Sequence, residues 1–298
     1  MALVQQPDKW ASAVKAAGQK ILVIVMPISG NSVHKKFFAS AINVMSPGVV
    51  NKLAESNIQT TVHINPNFPI DYSRNNSIDI CLNTYLADYI FFMDTDQTFP
   101  GNTILNLMET LESNPDVSGV TGMYFKKRDP FEAVIGRYAG WDEMSLPCKD
   151  NLEKLGYVTK DGEQCLYWKS VHYFDKESPF WVDAFGMGCL LMRTDALKQL
   201  ERPYFKYTPD PKTNDGALLK NSEDMWFCAQ LKKKDLTIVC DPRVQCGHIF
   251  ELESNVDLYE ETRDTSFGSL EPEKYKEIMA KTIDVRAEQE EYRNAQHK

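Results

Sequence analysis

Short apolar runs alternate with polar, helix-patterned segments through the first half of the chain. Ile21-Leu22-Val23-Ile24-Val25-Met26 is unbroken and apolar, the pattern of a strand buried on both faces. Pro27-Ile28-Ser29-Gly30-Asn31-Ser32 reads as the loop after it, and a helix is expected from Val33 to about Val44. Ile58 to Ile64 alternates and is rich in β-branched residues, as a second strand should be. Arg74 to Leu86 has helical spacing, with Ile78, Cys81, Leu82 and Tyr85 on one face. Tyr89-Ile90-Phe91-Phe92-Met93 is a third buried strand. Pro100 and Asn102 open a helix that runs through Leu111, and Val117 to Phe125 is a further strand. This βαβαβ rhythm predicts an α/β fold with a mostly parallel central sheet and right-handed crossovers.

The rhythm is lost from about Lys126 to Pro179. That segment is rich in charge, glycine and aromatics, including Trp141, Tyr157, Trp168, Tyr173 and Phe174. Long irregular stretches inside a domain are often functional, so residues 126–179 are read as an insertion over a site, with room for an antiparallel hairpin. A strand-like run then resumes from Trp181 to Met192 around Gly186-Met187-Gly188. Ser222 starts a helix through Lys234, Leu236 to Cys240 is another strand, and Pro272 to Lys298 is a polar helix or tail. The expected organisation is one α/β domain over residues 1–255 and a charged, helical C-terminal extension over 256–298.

Two carboxylates close the third strand, in Met93-Asp94-Thr95-Asp96. Acids at the end of a buried strand are costly unless solvated, paired or metal-bound. Ligands of open α/β sheets sit outside the carboxyl ends of the strands. An Asp-x-Asp placed there suits Mn2+ or Mg2+ and, through the ion, a diphosphate; it equally suits a polar loop before the next helix. Ser222-Glu223-Asp224 fits an ordinary helix start, and it also fits a carboxylate aimed into a cleft and kept ionised by the helix dipole. His248 follows the Leu236–Cys240 strand and is either a satisfied polar residue or an imidazole ligand. Cys240, Cys246 and His248 match no common zinc spacing. Gly186 and Gly188 mark a bulge or a close backbone approach. Arg74 suits phosphate pairing or a surface position.

Composition narrows the classes. The 298 residues fit a single large α/β unit, and the net charge of −9 counts against a large nucleic-acid surface. Lys126-Lys127-Arg128 and Lys232-Lys233-Lys234 are candidates for a local basic patch, though solvated helix or loop ends are the more ordinary reading of both. Seven cysteines without a Cys-x-x-Cys pair argue against a disulfide framework and for a reducing, cytoplasmic setting. No run is long enough for a membrane span, and no secretory leader is expected.

In this order, these residues resemble the glycosyltransferase A-type, Rossmann-like fold, near the large inverting family 2, over roughly Ile21 to Phe250. The matching motifs are Val25 to Asn31, Arg74-Asn75, Asp94-Thr95-Asp96, Phe185-Gly186-Met187-Gly188, Ser222-Glu223-Asp224 and His248. The resemblance implies an enzyme that moves a sugar from a nucleotide-diphosphate sugar, most commonly UDP-linked, to an acceptor hydroxyl with inversion. It implies donor contacts from Pro27, Ile28, Ser29, Arg74, Asn75, Asp94, Gly186 and Gly188. It implies Mn2+ or Mg2+ on Asp96 and His248, with Asp94 on the metal through water or on the ribose, Asp224 as base, and Glu223 orienting the acceptor or the first turn. The acceptor stays open among glycan, lipid, protein and modified nucleobase, as does self-association through the C-terminal extension.

One departure concerns the base. Where many members carry an acid after the second strand, this chain runs His63-Ile64-Asn65-Pro66-Asn67, with Asp71 as a possible substitute. Two rival classes remain at this stage. A sugar-phosphate nucleotidyltransferase would carry a glycine-rich, basic loop after the first strand, whereas the loop here has a single glycine and no arginine. A non-catalytic nucleotide-sugar-binding protein of the same fold would have lost the carboxylates or the histidine, which are all present.

Overall fold

Alternation along two central strands builds the molecule. In the computed structural model, which describes residues 6–28, 32–66, 68–127, 131–138, 168–209, 220–249 and 282–296, β1 (Lys20–Ile28) pairs in parallel with both β2 (Ile58–Pro66) and β3 (Tyr89–Met93). Successive side chains of a strand point to opposite faces. Val23, Val25, Ile90 and Phe92 therefore share one core with Ile78 and Cys81 of α4 (Ile70–Asn83), and α1 (Pro7–Ala16) adds Ala11 and Val14. Leu22, Ile24, Phe91 and Met93 enter the opposite core. There they meet Phe37 of α2 (Lys35–Val44), Leu53 of α3 (Pro47–Glu55), and Leu107 and Leu111 of α5 (Thr103–Ser113). Burying each such aliphatic or aromatic side chain stabilises the fold by about 1.5–3 kcal/mol. Helices thus cover both faces of a mixed sheet that is mostly parallel.

Among the described residues the sheet has seven strands in the order β2-β1-β3-β10-β5-β13-β8. β5 is Val117–Met123, and β13 (Thr237–Gln245) lies parallel to it. Two short strands flank this pair in the chain: β4 (Gln97–Thr98) before β5 and β14 (Gly247–His248) after β13. The expected run from Trp181 to Met192 is not one strand. It divides into β8 (Phe180–Val182), β9 (Ala184–Phe185) and β10 (Cys189–Arg193). β8 and β10 both run antiparallel to their neighbours, β10 filling the gap between β3 and β5. The reversal follows from the path: β10 leaves the turn at Gly186-Met187-Gly188 beside the carboxyl end of β3, so it must run back. Gly119 on β5 admits the incoming strand, because a Cβ there would lie 2.3 Å from Met192 Sδ. The rest of this half comprises α6 (Thr194–Leu197), the pair β11 (Thr208–Pro209) and β12 (Lys220–Asn221), and α7 (Glu223–Lys233).

A second, four-stranded sheet stands beside the first, in the order β15-β7-β6-β9. β6 (Ile135–Tyr138) and β7 (Trp168–Tyr173) pair antiparallel, a hairpin partnership within the 126–179 segment. Residues 128–130 and 139–167, with Trp141 and Tyr157, lie outside the described residues. Within the described residues of the expected helical extension, α8 (Arg286–Gln296) is helical and is preceded by β15 (Thr282–Asp284), which adds in parallel to β7. Gln289 is fully buried and hydrogen-bonded to the backbone of Asp175 and Ser178, and Arg137 pairs with Glu288 at 2.5 Å. This described part of the extension is therefore docked on its own chain. None of the described helices is long and apolar enough to cross a membrane.

Candidate functional site

A cleft of about 610 Å³ opens at the carboxyl ends of β1 and β3. Pro27 and Ile28 from β1, Asp94 and Asp96 from beyond β3, Arg74 from α4, Glu223 and Asp224 from the start of α7, and His248 from β14 all line it. Residues spread over most of the chain thus converge where open α/β sheets bind ligands.

Arg74 organises the inner wall. Its side chain is almost fully buried and faces three carboxylates. Nη1 donates to Glu223 Oε1 at 2.6 Å and to Asp224 Oδ1 at 2.5 Å. Nη2 donates to both oxygens of Asp94, at 3.1 and 2.9 Å. The guanidinium plane also lies 5.8 Å from the ring of Phe205, which stacks on Phe227. One positive charge serving three carboxylates, Glu223 buried and Asp94 and Asp224 partly so, leaves a negative excess. Burial pushes the Asp224 carboxyl up to about 7; Glu223 and Asp94 add to the rise, while Arg74 and the Met187 N–H oppose it. The expectation that the helix dipole keeps Asp224 fully ionised is corrected here: desolvation and two neighbouring acids outweigh one turn of helix. Ser222 does occupy the N-cap position, yet its side chain makes no capping hydrogen bond. Burial and Glu223 likewise push the Tyr207 phenol up to about 12.

The outer wall is built differently. β4 and β14 pair, setting His248 opposite Gln97, and Ile249 N donates to Asp96 O at 2.7 Å. This bridge brings His248 beside the Asp-x-Asp turn. Nδ1 of His248 lies 2.7 Å from the carbonyl oxygen of Phe125, an acceptor only, so that nitrogen carries the proton. Nε2 then faces Asp96 Oδ2 at 3.5 Å. The same oxygen takes a 2.6 Å hydrogen bond from Lys127. Burial alone would raise the Asp96 carboxyl; the Lys127 ammonium, joined by the His248 ring whenever Nε2 also carries a proton, outweighs it and holds the group well below the usual carboxylate range.

The donor set has the chemistry of a site for Mn2+ or Mg2+. An aspartate oxygen faces an imidazole nitrogen whose partner nitrogen is tied to a backbone carbonyl, as in ligating histidines generally. Among the described residues no group of three or more His, Cys, Asp or Glu stands ready to hold a metal. Asp94, the third expected ligand, gives both oxygens to Arg74. Of the three expected ligands, Asp96 and His248 are the two whose donor atoms stand together, Oδ2 and Nε2 lying 3.5 Å apart.

Not every expected donor contact faces the cleft. Asn75 clamps the backbone of Phe205, donating to its carbonyl at 2.8 Å and accepting from its N–H at 3.2 Å. Gly186 and Gly188 pack against side chains. A Cβ would lie 1.8 Å from Tyr124 Oη at the first and 1.9 Å from Gln97 Nε2 at the second. Their turn instead ties the walls together: Gly188 O accepts from Asp94 N at 3.0 Å, and Met187 N–H reaches Asp224. Ser29 lies outside the described residues.

Other cleft residues were not singled out by sequence reasoning. Lys127 belongs to a basic run read as a solvated end. Tyr124 sits at the end of β5, and its hydroxyl accepts from Gly188 N at 3.3 Å. Ser73, Gln97 and Phe68 also line the cavity. Among the described residues, Ser73 Oγ, Arg74 Nε and Gln97 Oε1 are buried without a hydrogen-bond partner. Buried polar atoms are normally satisfied, so orphans on a cleft wall suit a polar ligand. Nothing in the local pattern around Ser73 or Gln97 marks them.

No known family profile matches the chain, and no curated protein does. Among solved structures the chain is similar to A197 from STIV, at 14% identity and a TM-score of 0.46, over 80% of this chain and 91% of that one. It is also similar to GalNAc-T7, crystallised with UDP, GalNAc and Mn2+, at 12% identity and a TM-score of 0.45, over 85% of this chain and 53% of that one.

Proposed function

We propose that this protein is a glycosyltransferase of the A-type fold that moves a sugar from a nucleoside-diphosphate sugar to an acceptor hydroxyl, with inversion at the anomeric carbon. The observation that carries the reading is Asp224. It is a carboxyl at the rigid start of α7, lining the cleft, with its proton affinity raised to about 7. A general base works best with an affinity near the operating pH. Asp224 takes the proton of the acceptor hydroxyl, the acceptor oxygen bonds to the anomeric carbon, and the bond to the diphosphate breaks. Arg74 keeps the carboxylate in place, and Glu223, on the same guanidinium nitrogen, fixes the first turn of α7.

The leaving diphosphate belongs on the outer wall. Mn2+ or Mg2+ on Asp96 and His248 would neutralise its developing charge. Lys127 lines the same end of the cleft and adds positive charge. Pro27 and Ile28 supply an apolar edge beside Phe68, and the orphaned Ser73 hydroxyl offers a polar contact to the nucleoside.

The test is hydrolysis of UDP-, GDP-, dTDP- and CMP-sugars with Mn2+ and with a chelator. Slow release of one nucleotide, lost on chelation and in Asp96→Ala, is the expected result. An absence of turnover and of nucleotide binding across the panel would sink the proposal.

A further inference from the structure

Asp96 Oδ2 already has a cation. Lys127 Nζ sits 2.6 Å from it, while His248 Nε2 faces the same oxygen at 3.5 Å. The lysine is held there by its own segment. Two residues earlier, Phe125 O binds His248 Nδ1, and the 124–127 stretch is stitched to 132–134 through Lys126 N to Glu132 O and Val134 N to Tyr124 O. Lys126 turns aside to pair with Glu132. Lys127 and Asp96 are both partly exposed, so the four-carbon lysine stem has room to swing. A divalent ion bonds a carboxylate oxygen at about 2.0–2.2 Å. An ion placed on Oδ2 and within reach of His248 Nε2 would therefore meet the ammonium at close range and repel it.

We propose that Lys127 is a placeholder cation. It occupies Asp96 in the donor-free protein, yields the carboxylate when a divalent ion arrives with the nucleoside diphosphate, and then pairs with the diphosphate. This rests on the glycosyl-transfer reading above and adds an order to it: the ion binds weakly by itself and tightly with the nucleotide. No covalent step is involved; one ion pair is exchanged for another.

The experiment is Mn2+ titration followed by the electron paramagnetic resonance signal of the free ion, with and without UDP. It is run on the whole chain, on Lys127→Ala and on Lys127→Arg. Without UDP, Lys127→Ala is expected to bind Mn2+ at least about tenfold tighter than wild type, a modest share of the repulsion between charges about 4 Å apart at a part-exposed site. Lys127→Arg keeps the charge and should stay near wild type, and UDP should narrow the gap. The tighter binding should vanish in Lys127→Ala/Asp96→Ala, which locates it. Equal Mn2+ affinity of wild type and Lys127→Ala without UDP overturns the placeholder while leaving glycosyl transfer standing. Failure of all variants to bind UDP under any condition removes the underlying reading, and the placeholder falls with it.

Discussion

The two walls of the cleft use the same residue type to opposite ends. On the inner wall, Asp224 shares one buried guanidinium with Glu223 and Asp94, and its proton affinity rises. On the outer wall, the half-exposed Asp96 has Lys127 and His248 to itself, and its proton affinity falls. The difference lies in the ratio of cations to carboxylates and in burial, not in the residue. A carboxyl poised near neutrality can take a proton; one held ionised can only anchor a cation. On the proposed reading, environment alone separates the base from the anchor.

The sharpest way to break this contrast is to remove the base. Asp224→Asn keeps the shape and the Arg74 contact but accepts no proton. Transfer should fall by about 10²–10⁴-fold, the usual share of a general base, with UDP affinity changed by less than about threefold. Calorimetry of UDP binding beside turnover separates the outcomes; a matching loss of affinity would make Asp224 a binding residue.

Removing the inner cation comes next. Arg74→Met leaves three carboxylates, one buried and two part-buried, facing one another, and breaking such a buried network typically costs about 3–5 kcal/mol. Denaturant unfolding should show that loss at pH 8 and a smaller one at pH 5, where protons can replace the missing guanidinium. Equal losses at both pH values would mean that Arg74 acts through packing on Phe205.

The pH profile sharpens the same contrast. Turnover per KM should rise with pH through an apparent value near 7 as Asp224 ionises. Stability should move the other way. Between the ordinary aspartate value and 7 the folded state holds a proton on Asp224 that the unfolded state has released, so this group lowers stability as pH rises through that window. Asn mimics the protonated acid, so Asp224→Asn should be more stable than wild type by about 1–3 kcal/mol at pH 8, the gap closing by pH 5. Asp96 has the opposite sign: its contribution is present above the ordinary aspartate value and is lost as pH falls below it. A thermal midpoint measured from pH 4 to pH 9 for both proteins tests this.

The contrast also marks what a sequence can and cannot show. β1 and β3 are legible because burial on both faces makes them continuous apolar runs, and Ile78 and Cys81 betray the buried stripe of α4. The direction of β10 is not written in Cys189–Arg193, because alternation is the same whichever way a strand runs. α3 went unread because Pro47-Gly48 looks like punctuation, yet Pro47 is at home in a first helical turn. β4 and β14 are two residues each, too short for any period, although they carry the link between Asp96 and His248. The acids at Asp94, Asp96, Glu223 and Asp224 stand out by type and spacing. Their protonation does not, because it depends on Arg74 lying 20 residues from Asp94 and about 150 from the other wall of its own cluster. Lys127 hid in a basic run for the same reason: only the fold sets it against Asp96.

The smallest expected effect probes the outer wall. The Lys127–Asp96 bond is as short as those of Arg74, so distance alone would rank it equal. Exposure says otherwise: Asp96 is 49% exposed and Lys127 39%, whereas Arg74 is at 3%. Water screens the outer pair and solvates either partner left alone, so pairs of this kind contribute about 0–1 kcal/mol. Lys127→Ala should therefore shift the unfolding free energy by less than about 1 kcal/mol, and 0.5 M salt should erase most of that shift while leaving the Arg74→Met loss nearly intact. A loss from Lys127→Ala as large as that from Arg74→Met would mean the outer wall is as sealed as the inner one, and a lysine so fixed could not give way to an arriving ion.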